Sequence, residues 1–178
     1  MQKYDKEITQ EDKMLFQNMS KVIGRPASFE GLAEEAIELA EAALIASEES
    51  DDGPDDYITV RTVDLLQEEF NDVVLFCLSL GIEAGWHESD HIFKSWPDLY
   101  RKLAKSCTNL AKSALKEARC IRKESPTPVT EEEALENVKH YYQEVRDLAL
   151  NTGLYTDSVQ IHQKYLRFES RCKTQEGK

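Results

Sequence analysis

The chain has 178 residues, a length that fits one domain with a sizeable core. Its formal net charge is −12, from 34 acidic and 22 basic residues. This excludes a general nucleic-acid binder, which carries basic surfaces, and leaves an anionic substrate open only if a metal bridges it to the protein. Glycine (7) and proline (5) are scarce and strand-type alternation is hard to find, so the expected class is all-α, a helical bundle of about six helices.

A first helix is expected over about Gln10 to Val22, with Met14, Leu15, Met19 and Val22 on its apolar side and Gly24-Arg25-Pro26 ending it. A second is expected from about Ser28 to Ser47, followed by an acidic, turn-rich loop from Glu48 to Asp56. A third runs from about Thr62 to Leu80, with Gly81 as its C′ residue. Ser95-Trp96-Pro97-Asp98 opens a long helix to about Lys123, since proline is tolerated in a first turn. Thr130 and Glu133 form a capping box for a helix to Asn151, closed by Gly153. A last helix starts near Thr156 or Asp157 and reaches about Arg171, with a frayed tail from Cys172 to Lys178.

The four cysteines, Cys77, Cys107, Cys120 and Cys172, form no C-x-x-C pair and read as free thiols of a reducing cytosol. The polar start Met1-Gln2-Lys3-Tyr4-Asp5 is unlike a signal peptide, and the longest apolar run, Val73 to Leu80, is far too short to cross a bilayer. A cytoplasmic protein with no membrane partner is expected.

A faint repeat runs through these elements. Leu32-Ala33 through Leu39-Ala40 to Ala43-Leu44 matches Leu103-Ala104 through Leu110-Ala111 to Ala114-Leu115. Val73 to Gly81-Ile82 matches Val145 to Gly153-Leu154, and Ser89 and Ile92 match Ser158 and Ile161. An offset of roughly 70 residues is what a duplicated helical hairpin would leave. On that alignment residues 10–95 form a first half and 96–172 a second that has lost the carboxylate cage. Lys105, Ser106 and Asn109 stand for Glu34, Glu35 and Glu38, and Tyr141 and Glu144 stand for Glu69 and Asp72.

Those acids carry the chemistry. Glu35 and Glu38, and likewise Glu69 and Asp72, have the i, i+3 spacing that shares one helix face. The first pair lies on an acidic arc that a solvated helix face would also show. The second pair is set among Leu65, Phe70, Val73, Val74 and Phe76, in a helix too apolar to be exposed. Burying two like charges needs compensation. The nearest cation in sequence is Arg61, two turns away, so a divalent metal held jointly with Glu35 and Glu38 is the economical answer.

His87-Glu88-Ser89-Asp90-His91 matches the zincin pattern H-E-x-x-H. Ser89 or Asp90 is better suited to cap a helix than to continue one, and zinc needs both histidines on one helix face, so the match is set aside.

Glu34-Glu35-Ala36-Ile37-Glu38 followed by Glu69-Phe70-Asn71-Asp72 resembles the paired signature of the MazG-like all-α nucleoside triphosphate pyrophosphohydrolases. That superfamily includes the dimeric dUTPases and the phosphoribosyl-ATP pyrophosphohydrolases. The likeness covers about residues 10–95, with a longer spacing between the two motifs than usual. It implies hydrolysis of (deoxy)nucleoside triphosphates to a monophosphate and pyrophosphate, in a homodimer or larger homo-oligomer. Glu35, Glu38, Glu69 and Asp72 would bind Mg²⁺, with Mn²⁺ as a substitute. Glu34 would orient or deprotonate the attacking water, and Lys94 would meet the phosphates. Lys164, Arg167 and Arg171 are alternatives for the phosphates. Asn71 and Phe16 are assigned to the substrate, Phe16 with the 24–29 segment as a lining for the base; the other role for Phe16 is core packing. The alternative from a different class is a non-catalytic acidic helical interaction module.

Overall fold

The structure, a computed structural model, describes residues 8–52, 58–84, 94–124 and 130–176. These residues form an all-α bundle: α1 (Gln10–Ile23), α2 (Arg25–Asp52), α3 (Val60–Ser79), α4 (Trp96–Ile121), α5 (Glu131–Asn151) and α6 (Ser158–Glu176). None of the helices is long and apolar enough to cross a membrane. The zincin-like run 87–91 lies outside the described residues.

Local chemistry explains the boundaries. Thr9 and Thr130 each form a full capping box, with Asp12 and Glu133 respectively. Gly24 closes α1 at φ 86°, and α2 starts at the next residue. Pro26, expected among the residues that end α1, instead sits in the first turn of α2, where its missing N–H has no intrahelical partner to lose. The acidic stretch expected to be loop from Glu48 is helical as far as Asp52. Its Glu49 accepts from the Thr59 amide at 2.8 Å and from the Thr62 hydroxyl at 2.8 Å, tying the end of α2 to the start of α3. At the other end, α6 continues five residues beyond Arg171, into the segment expected to fray.

α2 is the axis of the bundle. It packs on α1, α3 and, most extensively, α4, while α5 backs α4, and α1 and α6 close over α3. The core is built on Phe16, Phe29, Leu32, Leu39, Leu66, Phe70, Leu99, Leu103 and Leu110, all inaccessible to solvent or nearly so. Each such side chain is worth about 1.5–3 kcal/mol of burial. Gly31 permits one close approach: a Cβ there would stand 2.3 Å from the Phe76 ring of α3.

α2 and α4 run antiparallel, fixed at both ends by ion pairs. Glu30 is gripped by both guanidinium nitrogens of Arg122, and Asp51 meets Arg101 at 2.5 Å. In the sequence alignment of the halves, Glu30 corresponds to Arg101 and Asp51 to Arg122. The two ion pairs therefore exchange under a two-fold that swaps the hairpins α2–α3 and α4–α5. Burial follows the same rule. Leu32, Ala36, Leu39 and Ala43 are sealed, and so are Leu103, Cys107, Leu110 and Ala114. Both hairpins also end alike. The Ile82 amide donates to the Cys77 carbonyl at 2.8 Å around Gly81 (φ 72°), and Leu154 donates to Ala149 at 3.1 Å around Gly153 (φ 88°).

Candidate metal centre between α2 and α3

Glu35 and Glu38 project from α2 toward Glu69 and Asp72 of α3. One carboxylate oxygen each of Glu35, Glu69 and Asp72 lies within 4.8 Å of the other two, and all three residues are half-buried. Glu38 is more exposed; it stands outside that trio and hydrogen-bonds to Glu69. Glu34 is exposed beside the cluster in sequence, roughly 100° around the helix from Glu35.

The electrostatics show how poorly these groups tolerate one another as anions. Burial, and then the charges of Asp72, Glu38 and Glu69, push the Glu35 carboxyl up to about 8, against the opposing pull of Lys164. Glu69 is raised by burial, Glu38 and Asp72. Asp72 is raised by burial even though Lys164 and Arg167 draw it down. Two unit charges 4.8 Å apart repel by about 3 kcal/mol at an effective dielectric of about 20. Repulsion of this size favours retention of a proton, or a cation close by. The cluster's hard carboxylate oxygens, drawn from two helices at short range, fit Mg²⁺ or Mn²⁺.

Among the described residues, the amine paired with the cluster comes from far along the chain. Lys164 of α6 forms an ion pair with Asp72 and reaches Glu68 at 3.5 Å, with only 12 % of its side chain exposed. Sequence proximity pointed only to Arg61, so this partner was invisible there. The charge of Lys164 also opposes the upward shifts of Glu35 and Glu69, but burial and the neighbouring carboxylates outweigh it at both.

What holds α6 in place is a pair of side-chain amides one turn apart on α3. Gln67 donates to the Tyr155 carbonyl at 2.6 Å and accepts from the Tyr155 amide at 3.2 Å. Asn71, fully buried, donates to Gln160 Oε1 at 3.0 Å and accepts from the Asp157 amide at 3.1 Å. The Asn71 amide assigned from sequence to the substrate is thus engaged at both ends inside the fold, docking the first turn of α6. Gln67 was missed altogether, although a glutamine four residues before an asparagine on an otherwise apolar helix was a readable signal for a polar clamp.

The remaining assignments separate by position. Arg167 lies near enough to draw on Asp72 and, with Lys164, Gln160 and Gln163, lines a groove of about 380 Å³ between α3 and α6. Arg171 is exposed one turn further along the same face. Phe16 is 1 % exposed and packs on the rings of Tyr165 and His162, at 5.6 and 6.2 Å, so it is core. Phe29 is likewise sealed, under the Arg25 guanidinium. Lys94 precedes α4, where the Pro97 carbonyl accepts from Ser47 of α2 at 3.3 Å. Ser47 is nine residues beyond Glu38, about 14 Å along the helix, so Lys94 enters near the C-terminal end of α2, away from the carboxylates at its middle. The four cysteines are free thiols.

The arrangement is a cluster of three carboxylates of the kind that could hold a metal ion, with a groove of mixed charge beside it, lined by Asp64 and Glu68 as well as Lys164 and Arg167. Comparison with known proteins adds nothing to that reading: no family model matches the chain, and neither does any curated protein or solved structure.

Proposed function

We propose that the chain is a metal-dependent nucleoside triphosphate pyrophosphohydrolase, as its paired acidic motifs suggest by their likeness to the MazG-like enzymes. The supporting observation is the convergence of Glu35, Glu69 and Asp72 from both motifs, with Lys164 and Arg167 beside them. Glu35, Glu69 and Asp72 would hold Mg²⁺, with Glu38 beside Glu69 as a further oxygen donor. The ion, when bound, supplies Lewis-acid polarisation of the phosphate chain.

The residues do the rest. Lys164, now paired with Asp72, would offer its amine to the phosphates, and Arg167 a planar fork to the same oxygens. Glu34, open to solvent, takes the proton of the attacking water. The water oxygen bonds to the α-phosphorus as the bridge to the β-phosphate breaks, giving a nucleoside monophosphate and pyrophosphate. The catalytic unit is proposed to be a homodimer.

The test is to incubate the protein with Mg²⁺ or Mn²⁺ and a panel of ribo- and deoxyribonucleoside triphosphates, and to measure pyrophosphate. Metal-dependent release that falls at least about a hundredfold in Asp72→Asn is expected, the scale of losing a metal ligand or its support. Absence of pyrophosphate from every nucleotide would leave the interaction-module reading in possession.

A further inference from the structure

A second groove lies in the second hairpin. It lies between α4 and α5, at the place the two-fold assigns to the carboxylate cluster, and encloses about 450 Å³. That is within the range of small-molecule sites. The chemistry of its walls is inverted. Where α2 carries Glu34, Glu35 and Glu38, α4 carries Lys105, Ser106 and Asn109; where α3 carries Glu68 and Glu69, α5 carries His140 and Tyr141. Lys102, aligned with Gly31, adds a second amine one turn before Ser106 and keeps a 3.1 Å ion pair with Asp98 at its rim. Glu144 is the one carboxylate among the lining residues. In a chain with a net charge of −12, two lysines and a histidine converging on one cavity is the reverse of the prevailing surface.

We propose that this α4–α5 groove binds a phosphate-bearing anion without a metal, through Lys102, Lys105, Ser106, Asn109 and the His140–Tyr141 pair. The two lysines are three residues apart on one helix face, spaced to meet neighbouring phosphate oxygens. Ser106, buried on the same face, and Asn109, one turn on, add neutral donors that an anion accepts from. His140 and Tyr141 stand edge to face with ring centroids 5.1 Å apart and offer an aromatic wall on which a base can rest. The site is independent of the carboxylate cluster and stands whether or not that cluster is catalytic.

Calorimetric titration of the full chain with inorganic phosphate, pyrophosphate and adenosine monophosphate, all in EDTA, tests it. EDTA keeps the α2–α3 cluster free of metal, so binding there is not read. Saturable binding of pyrophosphate is expected, weakened about tenfold or more in Lys105→Glu, a solvent-facing change that leaves the helical circular dichroism intact. Lys164→Gln, in the other groove, leaves the affinity as it was. Tighter binding of the monophosphate than of inorganic phosphate, lost in His140→Ala, assigns the aromatic wall to a base; equal binding assigns the groove to the phosphate alone. No saturation by any of the three anions, or a loss in Lys164→Gln with none in Lys105→Glu, overturns the proposal.

Discussion

The hairpins α2–α3 and α4–α5 share a register, a pattern of burial and a glycine-closed end, yet they face solvent with opposite chemistry. Apolar positions are kept in pairs: Leu32 with Leu103, Leu39 with Leu110, Val73 with Val145. The polar positions between them are not. The lesson is that the packed positions are kept while Glu35, Glu38 and Glu69 have no acidic counterpart, so the packing of a hairpin of this kind does not call for those three carboxylates. A scaffold that stands with serine, asparagine and tyrosine at these places has no structural need for carboxylates that repel one another.

The largest effect expected from breaking the comparison lies at the amide clamp. Asn71 is buried and bridges α3 to α6, whereas its counterpart Gln143 donates to Asp147 along its own helix at 2.9 Å. Asn71→Ala strands the Asp157 amide and the Gln160 side chain and is expected to cost about 2–3 kcal/mol in urea unfolding. Gln143→Ala is expected to cost less than about 1 kcal/mol. Equal losses would mean that α6 is not held by this clamp.

Next in size is the conversion of one hairpin toward the other. Glu35 keeps its proton to about 8 in the folded chain, against 4.5 ordinarily, because burial and its carboxylate neighbours oppose its charge. Between those values the folded state binds the proton and the unfolded state does not, so metal-free stability falls as pH rises through that window and levels off above it. Glu35→Ser, which installs the residue of the second hairpin, removes this loss. It is expected to raise the metal-free unfolding free energy at pH 8.5 by on the order of 1 kcal/mol once solvent screening is allowed for, read as a higher melting temperature. Near pH 4, where Glu35 is protonated in either state, the variant should show no such gain.

The second hairpin has its own misplaced acid. Glu117 is buried on α4, where α2 has Ala46, and neither of its carboxylate oxygens has a hydrogen-bond partner among the described residues. Burial and then Glu131 push it up to about 7, with Arg25 opposing. The same sign applies: its share of stability declines from about pH 4.5 to about 7. Glu117→Gln should flatten that part of the pH–stability curve, and an unchanged slope would show the side chain to be solvated.

The smallest effect is chemical. Burial pushes the thiols of Cys77 and Cys107 up, whereas Cys120 and Cys172 are partly open to solvent. A thiol reagent should modify two cysteines quickly in the native protein and the other two only on unfolding. Four fast thiols would contradict the sealed seam between the hairpins.

Much of the architecture was legible because it rests on local signals. Thr9, Thr130, Gly81 and Gly153 mark helix ends by chemistry confined to a few residues. The i, i+3 acids announced themselves in the same way. What stayed hidden depends on contacts across long sequence separations. The pairing of Lys164 with Asp72 spans 92 residues, and the docking of Asn71 on Asp157 spans 86. No periodicity encodes either. Lys94 went astray for the same reason: nearness in sequence to the second motif did not bring it near in space, since α4 runs back along α2 from the far end.

The central claim is that the α2–α3 carboxylates form a divalent-cation centre, and a calorimetric titration of Mn²⁺ at pH 8 meets it most directly. The wild-type chain is expected to bind Mn²⁺ saturably with release of protons, because the ion displaces those held by Glu35 and Glu69. Glu35→Ser and Glu69→Gln should each weaken that binding by about tenfold or more. Failure of the wild type to bind Mn²⁺, or equal binding by both variants, would contradict the account.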